Sequence, residues 1–271
     1  MILKYIFRHT NPDFLNRDLE KLTPKDIMFR KAIYHSGFKF GLLLLSTITF
    51  IGVFVPFLVD MSPYDQDISK RLLPPVWSEG GSWKYIFGTD GNGRDYLARI
   101  IYGTRVSLTI GIGAATVGML IGVTLGVIAG YFGGIVDQVV SYILTCQLAL
   151  PGILFLLTII SIVGSSLTVV ILVIGVLHWT LFLVVTRAAT QRIRNLDYIT
   201  AANAIGASKT NIIFTDILPN VLNQIIVIFT LEVGVAILAE ATISFLGLGI
   251  QPPTPSWGVL IAEGKEAIFF Q

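Results

Sequence analysis

Residues 198 to 220 read YITAANAIGASKTNIIFTDILPN, a polar segment that separates two long apolar stretches of the chain. Asp197, just before this segment, can cap the amino terminus of a short helix over about residues 198 to 205. Gly206 follows and readily adopts the left-handed backbone conformation that ends a helix. The segment is therefore predicted to begin with a short helix that stops at a glycine turn.

A second helix is predicted directly after this turn. Ser208 is a suitable N-cap for a helix over residues 209 to 218, and Pro219 marks its predicted end. The spacing of apolar side chains gives this helix one apolar face, formed by Ile212, Ile213, Ile217 and Leu218.

The first of these two helices carries very small side chains at Ala201, Ala202 and Ala204. Another protein could approach its backbone closely, which bulky side chains would prevent. We therefore expect a docking loop, and the alternative is an ordinary helical hairpin.

The composition places the chain among membrane proteins. Of its 271 residues, 54% are hydrophobic and 13% are charged, with a mean hydropathy of +0.76, which is untypical of a soluble enzyme. The net charge of +2 is too small to indicate nucleic-acid binding. The single cysteine, Cys146, can form no internal disulfide and is interpreted as a small core residue.

Five apolar stretches are long enough to cross a bilayer as helices. The predicted fold is therefore an all-α polytopic membrane protein, with spans over residues 40 to 59, 106 to 130, 139 to 163, 167 to 186 and 221 to 246. The third of these spans contains Pro151. The second carries a ridge of small residues at intervals of four, predicted to pack against another helix, at Ala114, Gly118, Gly122, Gly126 and Gly130.

The distribution of positive charge predicts the orientation. Residues 1 to 39 contain eight Lys and Arg residues and residues 187 to 220 contain four, whereas the six in residues 60 to 105 are matched by acids. We therefore place residues 1 to 39 in the cytoplasm, with an interfacial helix over about residues 24 to 38. The transmembrane domain then covers residues 40 to 271, with an outer loop over 60 to 105 and a cytoplasmic loop over 187 to 220.

Four polar side chains fall within or beside the predicted spans. A carboxylate in a bilayer costs several kcal/mol unless it finds a partner or water, so Glu232, near mid-span, is a candidate for a solute pathway. Glu240 is interpreted as a structural residue that caps the backbone of the following loop, and lining of the pathway is less favoured for it than for Glu232. Asp137 is interpreted as a cap at a helix end or a pathway residue, and His178 as a hydrogen-bonded core residue or a substrate ligand.

The outer loop, residues 60 to 105, is predicted to be partly helical, with a turn over residues 89 to 93. Asp95 and Arg99 are four residues apart and are predicted to form a surface ion pair. A calcium site at Asp90 and Asn92 is an alternative, but the other oxygen ligands of such a loop are missing from the sequence.

The segment around Gly206 resembles the "EAA" loop of bacterial ABC importer permeases, whose pattern is roughly E-A-A-x-x-x-G-x(9)-I-x-L-P. Thr200 stands where that loop has its first glutamate, which removes any ion pair from that position. The resemblance implies that the loop inserts into a cleft on a separate ATPase subunit. The residues assigned to this coupling are Asp197, Thr200, Ala201, Ala202, Gly206, Ser208, Ile217, Leu218 and Pro219.

Two further segments resemble the peptide and nickel branch of these permeases. IFGTDGNGRDYLARIIYGTRVSL at residues 86 to 108 and AEATISFLGLGIQPPTPSWG at 239 to 258 follow the branch's patterns, as does G-G-x-V-D at 133 to 137. The chain departs from the branch at Tyr142 and Thr145, where arginine and aspartate are usual, so an expected intramembrane charge pair is absent.

The resemblance implies a permease subunit in the bacterial inner membrane, for short peptides, nickel or a metal chelate. Its partners would be a second permease, two ATPase subunits, an extracellular solute-binding protein and lipid. The sequence has no phosphate-binding loop and no H-E-x-x-H motif, so we expect no catalysis, no resident metal and no cofactor in this chain, with ATP and Mg bound by the ATPase.

An ion-coupled secondary transporter or channel is the alternative from another class, because it too would use intramembrane carboxylates. Members of the permease family have one more apolar span after the S-W-G-x-x-x-x-E-G run. We therefore expect six spans in the natural protein, although the sequence ends after Gln271.

Overall fold

The computed structural model describes residues 33 to 270, with side chains described as far as Lys265. The chain divides into two units after Val59, of which the first is described from residue 33 and the second as far as residue 270. Every regular element described in residues 33 to 270 is helical, as the all-α prediction requires.

In the first unit, helix α1 covers Ser36–Leu58 and is long and apolar enough to cross a membrane. His35 precedes it as N-cap, and its Nδ1 accepts a hydrogen bond from the Phe38 N–H at 3.3 Å. Pro56 lies inside the helix near its carboxyl end and does not end it. The first predicted span is confirmed, whereas most of the predicted interfacial helix lies outside the described residues.

The described residues of the second unit contain eight further long or short α-helices, α2 to α9, and one 3₁₀ helix. Two of them, α5 and α6, are separated only by a break at His178, and α8 includes a π-helical segment over Ile212–Ile217. The helices are α2 (Tyr96–Phe132), α3 (Gly134–Leu148), α4 (Gly152–Val163), α5 (Leu167–Leu177), α6 (Trp179–Arg194), α7 (Asp197–Ala204), α8 (Lys209–Phe245) and α9 (Trp257–Phe270).

Helix α2 lies at the centre of this unit and packs against α5, α6 and α8. Its 37 residues give a length of about 55 Å, which exceeds the roughly 30 Å hydrocarbon core of a bilayer. The glycine ridge predicted on α2 faces α5 and α6. A Cβ atom built on Gly126 would lie 2.9 Å from the Leu183 carbonyl oxygen, and one on Gly130 would lie 2.8 Å from that of Arg187.

Helices α2 and α6 can therefore approach closely because the glycines of this ridge have no Cβ atom. The predicted helix packing at Gly118, Gly122, Gly126 and Gly130 is confirmed. Gly175 of α5 contributes from the opposite side, since its Cβ would lie 2.9 Å from the Ala114 carbonyl oxygen.

The third predicted span is not one straight helix. Helices α3 and α4 together are long and apolar enough to cross, but they are bent by 81° at the break between them. The break falls at Pro151, whose ring and missing N–H prevent the chain from continuing the helix of α3. Counting this bent pair as one span gives five, with α1, α2, the pair α5 and α6, and α8 as the others.

Pro219 does not end the second helix of the polar segment, and this part of the prediction was wrong. The helix continues from Lys209 to Phe245, so the predicted fifth span and the helix before it are one element. The π-helical turns over Ile212–Ile217 come directly before the proline. Their wider hydrogen-bonding pattern gives the chain room for a residue that has no N–H and a bulky ring.

The outer loop contains only one short 3₁₀ helix, Ile68–Lys70, before α2 begins at Tyr96. The turn predicted over residues 89 to 93 is confirmed, because the Gly93 N–H donates to the Asp90 carbonyl at 3.0 Å. Gly93 itself has a φ of +73°. Helix α9 packs against α2 and α8, so the chain after the last long helix returns to the central element.

Candidate functional site

Three groups of residues in the second unit are candidates for function. The first is the polar segment around Gly206. Gly206 has a φ of +87°, and its N–H donates to the Asn203 carbonyl at 3.1 Å while the Ala207 N–H donates to the Ala202 carbonyl at 3.0 Å. These bonds satisfy the last carbonyls of α7, so the predicted glycine turn is confirmed.

Asp197 is not the N-cap of α7, contrary to the prediction. Leu196 holds that position, and its carbonyl accepts the N–H groups of Ile199 at 3.0 Å and Thr200 at 3.2 Å. Asp197 is the first residue of the helix and makes no capping hydrogen bond. Its carboxylate still lies in the first turn, where negative charge complements the helix dipole.

Ser208 caps the next helix as predicted, with its Oγ accepting the Asn211 N–H at 3.3 Å. The predicted apolar face is also present. Ile212 and Ile217 are fully buried, together with Ile199 of α7, and these three belong to one cluster that includes Val221 and Phe182 of the long helices. The segment is therefore fixed to the bundle through its inner face.

The face of this segment that points away from the helix bundle is exposed. Ile205 is 85% exposed and Phe214 is 67% exposed, on either side of the Gly206 turn. Ala201 and Ala204 are exposed as well, and only Ala202 is partly buried. We call the exposed set of Ala201, Ala204, Ile205 and Phe214 the loop surface. Two large apolar side chains beside two bare alanine positions form a surface suited to contact with another protein.

The base of this segment is tied to α3 by an ion pair. Arg187 of α6 donates from Nη2 to Asp137 Oδ2 at 2.6 Å, and its Nε lies 2.5 Å from Oδ1. Asp137 was interpreted as a helix-end cap, but its carboxylate is bound to arginine and α3 has no side-chain cap. Arg194 donates to the Tyr131 carbonyl at 2.9 Å and fastens the end of α6 to the end of α2.

The second group lies at the break between α5 and α6. His178 forms this break, and its Nδ1 lies 2.7 Å from Glu232 Oε2 on α8. Glu232 is 6% exposed, so its carboxylate has the partner that a buried charge requires. The predicted hydrogen bond of His178 is present, but its side chain is only partly buried, with 19% exposure, so it is not a core residue.

Sequence reasoning missed Gln147, which holds the other side of the same break. Its Nε2 donates to the Leu177 carbonyl at 2.8 Å, and its Oε1 accepts the indole N–H of Trp179. The residue lies on α3, 30 positions before Leu177 in the chain. Cys146 beside it is exposed rather than buried, because this part of α3 faces a cavity, and its interpretation as a core residue was wrong.

Glu240 is structural, as predicted, but it does not cap the following loop directly. Its Oε1 accepts the hydroxyl groups of Ser244 at 2.6 Å and Ser256 at 2.8 Å. The two hydroxyl oxygens in turn accept the N–H groups of Ile250 and Val259. A fully buried carboxylate thus orders the loop between α8 and α9 through two serines.

The third group is an ionic cluster, which we call the outer ionic cluster after the predicted position of the loop that contains Asp90. Arg99 is fully buried, and its Nη1 donates to Asp90 Oδ2 at 2.6 Å and also to Glu263 Oε2. Arg94 donates from Nε to Asp90 Oδ2 at 2.7 Å and from Nη2 to Glu263 Oε1 at 3.2 Å. The four side chains join the outer loop, the start of α2 and helix α9.

The predicted surface pair between Asp95 and Arg99 does not form. Asp95 instead caps α2, accepting the N–H of Leu97 at 2.9 Å and of Ala98 at 3.3 Å. Burial raises the pKa of Asp95 despite these hydrogen bonds. Its side chain was free for capping because Arg99 turns inward toward two other acids.

Asp90 shows the opposite balance of forces. Burial of its carboxyl group acts to raise the pKa, but hydrogen bonds from the N–H groups of Arg94 and Asn92 and from the Arg94 guanidinium outweigh it. The pKa of Asp90 is therefore lowered. The alternative calcium site does not fit this geometry, because the carboxylate is already bound to two arginines and two amide groups.

Comparisons with known proteins agree with this architecture. The family of the binding-protein-dependent transport system inner membrane component matches residues 122 to 270. The di/tripeptide transport system permease protein DppC of Pseudomonas aeruginosa is 35% identical over 246 residues, which are 91% of this chain and 81% of that protein.

Two dipeptide transport system permease proteins DppC show similar values. That of Haemophilus influenzae is 38% identical over 84% of this chain and 78% of its own length, and that of Escherichia coli K12 is 37% identical over 89% and 81%. The family match includes the loop around Gly206 and the helices from the second half of α2 onward. This chain belongs to the family of binding-protein-dependent transport system inner membrane components and is a multi-pass permease of the inner membrane.

Proposed function

We propose that this chain forms half of the membrane pathway of an ATP-driven importer for short peptides. It would work with a second permease subunit, two ATPase subunits that bind ATP and Mg, and an extracellular solute-binding protein. ATP hydrolysis belongs to the ATPase subunits, and this chain converts their movement into opening and closing of the pathway. Three similar permeases are named for dipeptide or di/tripeptide transport, which supports peptides as the substrate class.

The observation that carries this proposal is the contrast between the two faces of the Gly206 segment. Ile199, Ile212 and Ile217 are fully buried against the bundle, so the segment moves with the membrane helices. Ile205 and Phe214 are largely exposed on the other face. A partner protein can bind this exposed apolar surface. Because the segment is packed against the bundle, a movement of the partner would be transmitted to the membrane helices.

The position of Arg187 and Asp137 supports the same role. Their ion pair links α6, which leads into the segment, with α3, which begins the bent pair of helices. A displacement of the segment would therefore reach α3 and α4 as well as α6 and α8. The bend of 81° between α3 and α4 is a place where such a displacement can change the width of a pathway.

The proposal requires the Gly206 segment on the cytoplasmic side, with the outer loop on the other side. Helix α7 lies between the end of α6 and the start of α8, whereas the outer ionic cluster lies at the start of α2. The excess of Lys and Arg in residues 1 to 39 and 187 to 220 favours a cytoplasmic position for these two segments. In this orientation the outer loop is accessible to the solute-binding protein.

The test is ATP-dependent uptake of a labelled dipeptide by proteoliposomes that contain the complete transporter. We expect Ile205→Asp to reduce uptake at least tenfold and to release the ATPase subunits on gel filtration, because a charge on the loop surface opposes an apolar contact. Ile68→Asp is the matched control for assembly with the ATPase subunits, which it should leave intact, since Ile68 is 78% exposed on the loop remote from the Gly206 segment in the chain. Normal uptake and normal assembly of Ile205→Asp would contradict the proposal.

A further inference from the structure

A cavity of about 490 Å³ lies beside the break between α5 and α6. It is bounded by the end of α3, the start of α4 and residues 239 to 243 of α8. Most of its lining is apolar, and the volume falls within the range of roughly 300–1,000 Å³ that is typical of sites for small molecules. The polar side chains that line it are Cys146, Gln147, His178, Thr180 and Thr242.

Gln147 is not available to a ligand, because both ends of its amide are engaged with the α5–α6 break. His178 is different. Its Nδ1 is bound to Glu232, and no hydrogen bond to its Nε2 occurs among the described residues. His178 is thus the one imidazole in the lining, and it has one committed nitrogen and one available nitrogen.

Glu232 determines what the available nitrogen can do. A carboxylate at Nδ1 favours the tautomer that carries its hydrogen there, which leaves Nε2 with a lone pair that accepts a hydrogen bond. Glu232 itself is not among the residues that line the cavity. Its carboxylate therefore acts on a ligand through the imidazole, as a positioning group behind His178.

Charge balance then selects the ligand. None of the described residues that line the cavity is Lys or Arg, so the lining holds no permanent cation opposite the Glu232 carboxylate. A protonated amine placed against His178 would offset the negative charge of Glu232 locally, with the carboxylate at the other end of a zwitterionic peptide lying away from this pair. A ligand that presented a carboxylate to the imidazole would leave a net negative charge in an apolar site, which is costly.

We infer that this cavity binds the protonated amino terminus of a short peptide, with His178 Nε2 accepting its N–H and Glu232 positioning the imidazole. The inference rests on the proposed peptide transport and adds the residue that recognises one end of the substrate. The apolar walls, among them Leu156 and Ile243, would accommodate the rest of a small peptide without choosing its side chains.

Cys146 provides a direct readout, because it lines the same cavity, is exposed and is the only cysteine of the chain. The assembled permease and ATPase subunits, without the solute-binding protein, would be treated with a small maleimide at rising concentrations of Ala-Ala. Modification of Cys146 would be followed by mass spectrometry of its peptide. Omitting the binding protein keeps any preference of its own for one of the two peptides out of the measurement.

We expect Ala-Ala to protect Cys146 at concentrations at least tenfold lower than N-acetyl-Ala-Ala, which has no charged amine. The ratio of the protecting concentrations of N-acetyl-Ala-Ala and Ala-Ala should fall toward one in His178→Gln and in Glu232→Gln. In Thr242→Ala, another change in the lining, this ratio should remain at least tenfold. His178→Gln keeps an amide that can still donate to Glu232. A merely structural role of either residue would weaken protection by both peptides equally and would overturn the inference.

Two other outcomes are equally decisive. If Cys146 reacts in the isolated chain but not in the complete transporter, a partner subunit covers the cavity and the inference is wrong. If both peptides protect equally in the natural protein, the amine is not recognised there. Failure of the proposed function is a separate result, because it would show as absent uptake of Ala-Ala by the natural transporter.

Discussion

The Arg187 guanidinium on α6 holds the Asp137 carboxylate in the first turn of α3 through two contacts, 2.6 Å from Nη2 to Oδ2 and 2.5 Å from Nε to Oδ1. The two residues are 50 positions apart, and each side chain keeps between 21% and 28% exposure. The Nη2 contact is a hydrogen bond and the Nε contact is an ion-pair contact, so charge links the two helices at two pairs of atoms.

This ion pair can be measured by a double-mutant cycle. We expect Arg187→Leu and Asp137→Leu each to destabilise the chain in detergent, and the double variant to lose less than the sum, with a coupling free energy of about 1–2 kcal/mol. Thermal unfolding would give the values. Arg187→Lys should recover only part of the coupling, since an ammonium cannot reproduce both contacts. Strict additivity would show that the pair contributes nothing.

The glycine ridge gives a second prediction with a matched control. A Cβ at Gly122 would lie 2.6 Å from the Cβ of Phe182, whereas a Cβ at Gly234 on α8 would meet nothing within 4 Å. Gly122→Ala should therefore destabilise the chain by about 1–3 kcal/mol through overpacking. Gly234→Ala should be neutral or slightly stabilising, because alanine is the better helix former. Equal effects of both substitutions would rule out the packing explanation.

Some of this architecture could be predicted from the sequence because it depends on local spacing. The interval of four between glycines predicted a smooth face, and Ser208 was recognisable as an N-cap from its neighbours alone. The outer cluster could not be found in this way, because Glu263 is 164 residues from Arg99 and no local pattern connects them. Pro219 was misread since a π-helical segment, which permits the proline, has no reliable signal in a single sequence.

Gly206 should tolerate asparagine but not valine. Its φ of +87° is unfavourable for β-branched side chains, while a Cβ at this position would meet nothing within 4 Å, so the penalty is conformational rather than steric contact with neighbours. Gly206→Val should leave the protein in the membrane yet reduce dipeptide uptake per ATP hydrolysed. Gly206→Asn is the control, because asparagine enters this region more easily.

Ala202→Asp should uncouple transport in a different way. Ala202 is partly buried against the apolar cluster of Ile199 and Ile217, and an aspartate there would place a charge without a partner against apolar side chains. Asn203→Asp is the matched control, since Asn203 is exposed on the same helix and lies outside the loop surface. We expect hydrolysis of ATP to continue in Ala202→Asp while uptake of the dipeptide falls, and unchanged uptake in both variants would contradict a coupling role.

The outer ionic cluster should make the free energy of unfolding fall at low pH. The lowered pKa of Asp90 means that its carboxylate stabilises the folded chain above the pKa of the unfolded state, and that this contribution is lost as the pH falls through the lowered folded pKa. Asp90→Asn should remove this acid-side loss in thermal unfolding. Asp95→Asn should not, because the pKa of Asp95 is raised and its ionisation acts with the opposite sign.

The orientation of the chain can be decided by two introduced cysteines in a Cys146→Ser background. Asn92 is exposed in the turn of the outer loop, and Lys209 is exposed at the start of α8, next to the Gly206 turn. We expect Asn92→Cys to react with a membrane-impermeant maleimide in intact spheroplasts and Lys209→Cys to react only after the membrane is opened. The reverse pattern would place the loop surface outside the cell, beyond the reach of an ATP-hydrolysing partner, and would contradict the proposed function together with the orientation.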